Sequence, residues 1–334
     1  MLEQGLHALL RPQLTQAGCL LKDANVNGLS LAREYYAHCR PLLQEELGGL
    51  LEEACVGLVG EGSECFGLDD DYSRDHDFGA CFCLWFDEEV LVREHARIEA
   101  AFQKLPESFA GFPSRLTRDK RMGRVGPLST ERFYRFFLGR QTLPERDCEW
   151  LVMAEDQLAC CTNGEIFEDH QSRFGSMRSR LLAHYPQEVR LVKLAARCLQ
   201  MAQAGQYNYP RCLAREDRVA AFFALSRFAW AALSFVYLIN GRYMPFYKHA
   251  ARLAKSLPLM GSRISALLAM IGEGMAESDS LVQGIEDFAT DCTGYLREQG
   301  LSQRPDNWLW DQAGEIMQHV HDPELRRQNL LRLA

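Results

Sequence analysis

The sequence has little that is typical of a membrane or secreted protein. Its 334 residues contain no apolar run of about eighteen or more, the length that a bilayer requires. The most apolar segment, AAFFALSRFAWAALSFVYLI at 220–239, is interrupted by Arg227, so we expect a buried core helix. The first residues, MLEQGLHALLRPQ, lack the apolar stretch and the cleavage site of a signal peptide. These absences predict a cytoplasmic protein without membrane contact.

Cysteine pairs and an excess of positive charge are also missing. Of the twelve cysteines, none forms a CxxC pair, so zinc-ribbon and thioredoxin-like sites have no support. Most lie in apolar surroundings, which is typical of buried, reduced thiols. The formal net charge is -8, so we expect no large nucleic-acid footprint. A hydrophobic fraction of 47% suits an ordinary globular protein with a sizeable core.

The two halves of the chain differ in hydrophobic periodicity. In the first half, short apolar runs predict strands at 54–60, 76–86 and 124–130, between helical patterns at 30–53, 87–105 and 131–139. Pro41 is expected to break the first of these helices. From about residue 170 only amphipathic helical patterns follow, at 186–204, 215–240, 245–256, 261–275, 278–298 and 308–331. The pattern predicts an α+β fold, with a mixed-sheet domain over residues 1–170 and an all-helical domain over residues 171–334.

The segment GEGSECFGLDDDYSRDHDFG at 60–79 places five aspartates between two apolar runs. Asp75 and Asp77 open the second predicted strand, where alternation puts both carboxylates on one face. Such carboxylates repel each other unless a cation lies between them, and Mg²⁺ prefers oxygen ligands together with substrate phosphates. We therefore predict that Asp75 and Asp77 bind Mg²⁺ (or Mn²⁺). An acidic surface loop is the alternative, and it suffices for residues 69–71.

The residues around this pair add a predicted phosphate site. Gly62 lets the backbone approach a ligand closely, and Ser63 offers a hydroxyl and a backbone N–H to a phosphate oxygen. Arg74 is expected either to orient a carboxylate or contact phosphate, or to form a surface ion pair. Together these residues predict a site for a metal-bound nucleoside triphosphate.

A Gly-Ser turn followed by Asp-x-Asp at the start of a strand is similar to the DNA polymerase β-like nucleotidyltransferase superfamily. The stretch GLVGEGSECFGLDDDYSRDHDFG, with GQYNYPR (205–211) and LINGRYMPFYKH (238–249), more closely resembles the DUF4037 family of nucleotidyltransferase-like proteins. The resemblance spans roughly residues 50–260. It implies that the Gly-Ser pair binds phosphate and that the two aspartates of Asp-x-Asp bind the metal.

The resemblance leaves one catalytic group to be found. Superfamily members commonly carry a third carboxylate on a later strand, but RVGPLST (124–130) contains no acid. Glu131 follows directly and is the first candidate, and Glu149 is the second. His76 also departs from the pattern, because the middle position of Asp-x-Asp is more often apolar. Without a third acid the chain would bind nucleotide and transfer it slowly or not at all.

The helical half supplies further candidates for nucleotide binding. In GQYNYPR, Asn208 and Arg211 are expected to face the cleft from a turn between helices, where Arg211 would clamp phosphate. Tyr243 and Tyr247 stand about one helical turn apart and would stack a base, and Lys248 would contact the triphosphate. A packed aromatic turn and an ordinary amphipathic helix are the alternatives.

The activity that the resemblance implies is Mg²⁺-dependent transfer of a nucleoside monophosphate from an NTP to a hydroxyl. We favour ATP as the donor and a small molecule as the acceptor, because the chain is acidic and its helical half is large. Transfer to a protein or RNA, a nucleotide-binding regulator without catalysis, and a helical partner-binding protein are the alternatives. The basic run RLTRDKRMGR (115–124) is expected to be a solvated loop or to receive a polyanionic acceptor.

Overall fold

The structure, a computed structural model, describes residues 27–70, 78–273 and 279–333. Its strands are β1 Cys55–Leu58, β2 Cys83–Phe86, β3 Ser108–Phe109, β4 Phe112–Pro113, β5 Gly126–Ser129 and β6 Glu165–Asp169. β1 and β2 are buried along their whole length, as expected from their continuous apolar sequences. β3 and β4 form a separate short hairpin.

The main sheet is mixed and has the strand order β5-β2-β1-β6. β1 is antiparallel to both β2 and β6, whereas β2 and β5 are parallel. Gly57 lies opposite Cys83, and Cys83 lies opposite Gly126. The carboxyl end of β1 therefore meets the amino ends of β2 and β5 at one edge of the sheet. This edge positions the candidate site.

The first half also contains helices before, between and after these strands in the chain. They are Gly28–Leu47, Glu88–Arg93, His95–Gln103, Thr130–Leu138, Asp147–Trp150 and Glu155–Thr162, with 3₁₀ turns at Gly48–Glu53 and Ser63–Phe66. The predicted break at Pro41 is wrong, because Pro41 lies inside Gly28–Leu47. The buried face of this helix continues on both sides of the proline, through Tyr35, Leu43 and Leu47. Tertiary packing of that face offsets the hydrogen bond that proline removes.

The described residues after Asp169 contain no strand, which confirms the predicted α+β fold with a helical second half. The helices are Arg173–Leu182, Gln187–Met201, Tyr209–Ala214, Arg218–Ile239, Tyr247–Ala254, Gly261–Glu273, Asp279–Glu298, Leu309–Gln318 and Pro323–Arg326, followed by a 3₁₀ turn at Leu330–Arg332. The buried apolar side chains form one connected core from Leu31 to Leu325. The division into two domains near residue 170 stays a prediction.

The GQYNYPR segment is helical, so its predicted turn is wrong. A π-helix at Ala202–Asn208 leads directly into helix Tyr209–Ala214. Pro210 stands at the start of that helix, where the N–H that it lacks is not needed. Gly205 packs against the Phe228 ring in a space too small for a Cβ. Both residues that sequence rules assign to turns therefore fit a helix.

One described helix, Arg218–Ile239, is long and apolar enough to cross a membrane. However, 56% of its most apolar stretch is buried inside the protein, as in a core helix. The prediction of a core helix fits this burial. The cysteines within the described chain are free thiols and mostly buried, as predicted.

A buried ionic cluster links the first half of the chain to the second. Glu155, at the start of helix Glu155–Thr162, accepts hydrogen bonds from Arg197 at 2.9 Å and from Ser234 at 2.8 Å. Lys193 lies 3.4 Å from the same carboxylate and is fully buried. Burial by itself would raise the pKa of Glu155, but the positive charges of Arg197 and Lys193 outweigh it and lower the pKa.

Candidate active site

A cavity of about 600 Å³ opens at the edge where β1 ends and β5 begins. One wall is formed by the loop after β1, from Gly60 to Glu64, together with the basic loop before β5. The other wall is helix Thr130–Leu138, which contributes Phe133, Phe136 and Phe137. A concave surface with apolar walls and a few charged groups is the usual form of a small-molecule site.

The loop after β1 is held in place by the two residues that precede β6. Gly60 has a φ of +143°, a conformation that residues other than glycine rarely adopt. The Asn163 side chain accepts a hydrogen bond from the Gly60 N–H at 3.0 Å and donates one to the Gly60 carbonyl at 2.6 Å. Next along the chain, the Gly164 N–H donates to the Cys65 carbonyl at 2.7 Å. The sequence pattern did not single out Asn163 for this role.

The cavity contains two arginine–glutamate pairs from opposite loops. Arg124 lies 2.9 Å from Glu61, and Arg115 lies 3.2 Å from Glu64. A Cβ placed on Gly62 would meet the Glu64 carboxylate at 2.5 Å, so this carboxylate lies directly against the Gly62 backbone. A phosphate group presents the same negative oxygens to a guanidinium as these carboxylates do. The two arginines are therefore suited to receive phosphate.

These contacts refine the interpretation of the basic loop. Arg115 and Arg124 line the cavity, whereas the expectation for the whole run was a solvated loop or a site for a polyanionic acceptor. Arg121 is buried, donates to the Leu116 carbonyl and pairs with Glu99 at 2.7 Å. Within this loop, two arginines therefore belong to the cavity and a third holds the loop to the core.

The predicted phosphate turn lies at the cavity, but the predicted metal pair is not described. Gly62 is part of the lining, and Ser63 begins the 3₁₀ turn that follows it. Arg74, Asp75 and Asp77 lie outside the described residues. Over the ranges that are described, no three His, Cys, Asp or Glu side chains are grouped to hold a metal ion. The prediction of a Mg²⁺ or Mn²⁺ site at Asp75 and Asp77 stays a prediction.

The carboxylate of Glu131, the first candidate for the third acid, is engaged in hydrogen bonds within the protein. Its carboxylate accepts hydrogen bonds from the Glu88 N–H and from Arg173, both at 2.8 Å. Ser129, two residues earlier, pairs with Phe86 at the carboxyl end of β2. Asp75 and Asp77 lie outside the described residues, so the role of Glu131 as the third carboxylate stays a prediction.

Glu149 is engaged in the same way. It accepts hydrogen bonds from Arg140 at 2.9 Å and from the Glu145 N–H at 3.1 Å. The bond from Arg140 lowers its pKa. Neither predicted third acid lines the cavity, whereas Glu61 and Glu64, which sequence analysis did not single out, do.

The role predicted for Tyr243 is wrong. The side chain is only 6% exposed, and its hydroxyl donates to the Leu181 carbonyl at 2.9 Å. Its ring packs edge-on against Tyr185 at a centroid distance of 5.0 Å. A ring that is enclosed in the core in this way cannot stack a nucleobase. Burial also raises the pKa of this tyrosine.

The other candidates from the helical half are exposed but do not line the cavity. Tyr247 is 67% exposed, and Lys248 follows it in the first turn of helix Tyr247–Ala254. Asn208 ends the π-helix, and the guanidinium of Arg211 lies 4.1 Å above the Tyr207 ring. The structure therefore does not bring these four predicted nucleotide ligands together with the Gly62 loop.

Helix Tyr247–Ala254 does contact the beginning of the acidic segment. Arg252 lies 3.2 Å from Asp70, and the His249 ring packs on Phe66 at a centroid distance of 5.1 Å. Both ring nitrogens of His249 are buried without a hydrogen-bond partner in the described structure. Burial, together with the positive charges of Lys248 and Arg252, lowers the pKa of His249 to about 4. The helical half thus adjoins the segment that contains the predicted metal ligands.

One comparison with known proteins, with a family model, agrees with the predicted family. Residues 150–250 match the family model of DUF4037, a domain of unknown function. This range includes GQYNYPR and LINGRYMPFYKH, two of the three segments that carry the resemblance. The match supports the predicted DUF4037 assignment.

One solved structure with similarity is a nucleotidyltransferase-like protein from Exiguobacterium sibiricum 255-15. The similarity covers 87% of this chain and 79% of that protein, with 9% sequence identity and a TM-score of 0.34. Similarity of this degree defines no function. None of the curated proteins matches the chain.

Proposed function

We propose that this chain is a cytoplasmic, magnesium-dependent nucleotidyltransferase. It would move a nucleoside monophosphate, AMP in the favoured case, from an NTP to a hydroxyl of a small-molecule acceptor. The observation that carries the proposal is the cavity beside Gly62, where a glycine-rich loop and two arginines meet at the edge of a mixed sheet. The DUF4037 match and the Gly-Ser and Asp-x-Asp motifs support it.

In this proposal the residues of the chain bind and orient the triphosphate. Arg115 and Arg124 exchange their glutamate partners for phosphate oxygens, while Gly62 allows the backbone to approach. Asp75 and Asp77 would hold Mg²⁺, which neutralises phosphate charge when bound. The acceptor oxygen forms a bond to the α-phosphorus, and the bond to pyrophosphate breaks. Glu64, released from Arg115, is the cavity carboxylate placed to take the hydroxyl proton.

The proposal is tested by calorimetric titration of ATP with and without Mg²⁺. We expect Asp75→Ala and Asp77→Ala each to abolish Mg²⁺-dependent binding. Asp291→Asn is the matched control, because Asp291 forms an exposed pair with Arg263 in the helical half and should bind ATP as the wild type does. Unchanged Mg²⁺-dependent ATP binding in both alanine variants would contradict the proposed metal site.

A nucleotide-binding regulator without catalysis is the second candidate. One observation favours it: the carboxylates of Glu131 and Glu149 accept hydrogen bonds from other residues and do not line the cavity. Such a protein would bind ATP with Mg²⁺ but would transfer no label from α-labelled ATP to any component of a cell extract. Appearance of a labelled product that depends on Asp75 and Asp77 would exclude this candidate.

A further inference from the structure

We propose that helix Thr130–Leu138 provides the nucleobase subsite, with Phe136 as the stacking residue. This inference rests on the proposed function and assigns to this helix the role that sequence analysis gave to Tyr243 and Tyr247. The phenylalanine wall is built outward from the core. Phe133 packs edge-on against Phe174 at 5.1 Å, Phe137 packs on Phe133 at 4.8 Å, and Phe136 packs on Phe137 at 4.9 Å.

The outermost ring of this series faces solvent at the cavity. Phe136 is 70% exposed although it lines the cavity together with its two buried or half-buried neighbours. Met122, from the loop that forms the opposite wall, also lines the cavity and is 71% exposed. Two large apolar side chains left exposed in one cavity favour a ligand with an apolar surface, since an aromatic face and a thioether both pack well against a ring.

The same cavity holds the charged groups that suit a phosphate. The tip of the Phe137 ring lies 4.0 Å from the position of a Cβ on Gly60, so the aromatic wall adjoins the glycine-rich loop directly. Arg115 and Arg124 belong to the same lining. A single ligand that presents phosphates to the arginines and a planar ring to the phenylalanines is a nucleotide. An apolar acceptor alone would leave the arginines without a function.

The chemistry of the phenylalanine wall also predicts which nucleobases the subsite can distinguish. Its three rings recognise shape and stacking surface, and stacking is tolerant of base identity because every base has a π-face. We therefore expect ATP and GTP to bind within about tenfold of each other, and CTP to bind more weakly because its ring is smaller. The preference for ATP would then come from outside this wall.

The test compares ATP with inorganic tripolyphosphate, a ligand without a base, by calorimetric titration in the presence of Mg²⁺. We expect Phe136→Ala to weaken ATP binding about tenfold and Phe136→Trp, which keeps an aromatic ring, to bind ATP about as well as the wild type. Neither change should alter tripolyphosphate binding. Met122→Ala should give a smaller loss that is again specific to ATP. Phe223→Ala is the matched control, because Phe223 is 60% exposed on helix Arg218–Ile239 and does not line the cavity.

The outcomes separate this inference from the proposed function. An equal loss of ATP and tripolyphosphate affinity in Phe136→Ala, with unchanged urea denaturation, would overturn the base subsite. So would ATP binding that Phe136→Ala leaves unchanged. In both cases the proposed function would still stand if the Mg²⁺-dependent ATP binding of the wild type were lost in the Asp75 and Asp77 variants. A wild type that binds neither ligand overturns both.

Discussion

Asn163 forms two hydrogen bonds with Gly60, one to its N–H at 3.0 Å and one to its carbonyl at 2.6 Å. The two residues are 103 positions apart in the chain, so the turn before β6 fixes the backbone of the loop after β1. Gly60 adopts a φ that few other residues tolerate, and the side chain of Asn163 satisfies both of its peptide groups. These hydrogen bonds hold the Gly60 loop in the conformation that forms the cavity wall.

Replacement of Asn163 tests this arrangement. Asn163→Ala removes both bonds, and we expect the free energy of unfolding to fall by about 1–3 kcal/mol because the Gly60 peptide groups lose their partner. ATP affinity should fall as well. Asn163→Asp keeps the acceptor but not the donor and should be intermediate. Urea denaturation and ATP titration measure these effects, and wild-type values for Asn163→Ala in both would contradict the role.

Arg124 is predicted to bind the triphosphate. Arg124→Gln should weaken tripolyphosphate and ATP binding alike by about tenfold or more, because a charge-assisted hydrogen bond is lost. Arg124→Lys should retain part of the affinity through its point charge. Arg263→Gln, which breaks an exposed pair in the helical half, is the control and should bind like the wild type. A loss confined to ATP would place Arg124 outside the phosphate site.

The buried cluster around Glu155 should be a major contributor to stability. Glu155→Gln leaves Lys193 and Arg197 buried without a compensating charge, and we expect a loss of about 3–5 kcal/mol in the free energy of unfolding. Because the folded pKa of Glu155 is lowered, its contribution is present above the ordinary pKa of 4.5 and is lost as pH falls through the folded value. Denaturant titration at neutral pH measures the loss.

The exposed pair Arg263–Asp291 provides the comparison for that cluster. Asp291→Asn should cost no more than about 1 kcal/mol, because both side chains remain solvated. An equally small cost for Glu155→Gln would show that water reaches the Glu155 cluster.

His249 should make the fold sensitive to mild acid. Its pKa is about 4 in the folded protein and 6.5 as a reference for the unfolded chain. Between these values the unfolded chain binds a proton that the folded protein does not, so stability falls as pH drops from 6.5 towards 4. The groups that face it are Lys248, Arg252 and Asp70. His249→Phe should reduce this loss, as measured by thermal unfolding at pH 7.5 and pH 5.

The control for this pH effect is His319→Asn, a change at an exposed histidine in the helical half. It should leave the difference in melting temperature between pH 7.5 and pH 5 unchanged. If His249→Phe behaved like this control, the His249 ring would have to be solvated or paired in solution.

The parts of the structure that local sequence determines were predictable. β1, β5 and helix Thr130–Leu138 follow from short apolar runs and from an amphipathic pattern that ends at Gly139. β2 was also expected, but it is shorter than the predicted strand at 76–86 and begins only at Cys83. The position of Gly62 beside a cavity also follows, because a glycine-rich loop after a buried strand reaches the sheet edge with few alternatives.

The parts that depend on distant contacts were not predictable. Local sequence makes Asn163 a turn residue, and only the fold brings it to Gly60. Likewise, local sequence makes Arg115 one charge in a solvated run, and only the fold brings it to Glu64. Tyr243 was assigned to a base because its spacing from Tyr247 suggested a shared face, but Leu181 and Tyr185 enclose it in the core. Tyr243 also lies before the first residue of helix Tyr247–Ala254, so the two tyrosines share no helical face.

The central claim is tested most directly by incubation of the purified chain with α-labelled ATP, Mg²⁺ and a small-molecule fraction of a cell extract. We predict that a labelled product other than AMP forms with the wild type and is absent with the double variant Asp75→Asn, Asp77→Asn. Equal labelling by the wild type and the double variant, or no labelled product with any of the four NTPs, would contradict nucleotidyl transfer by this site.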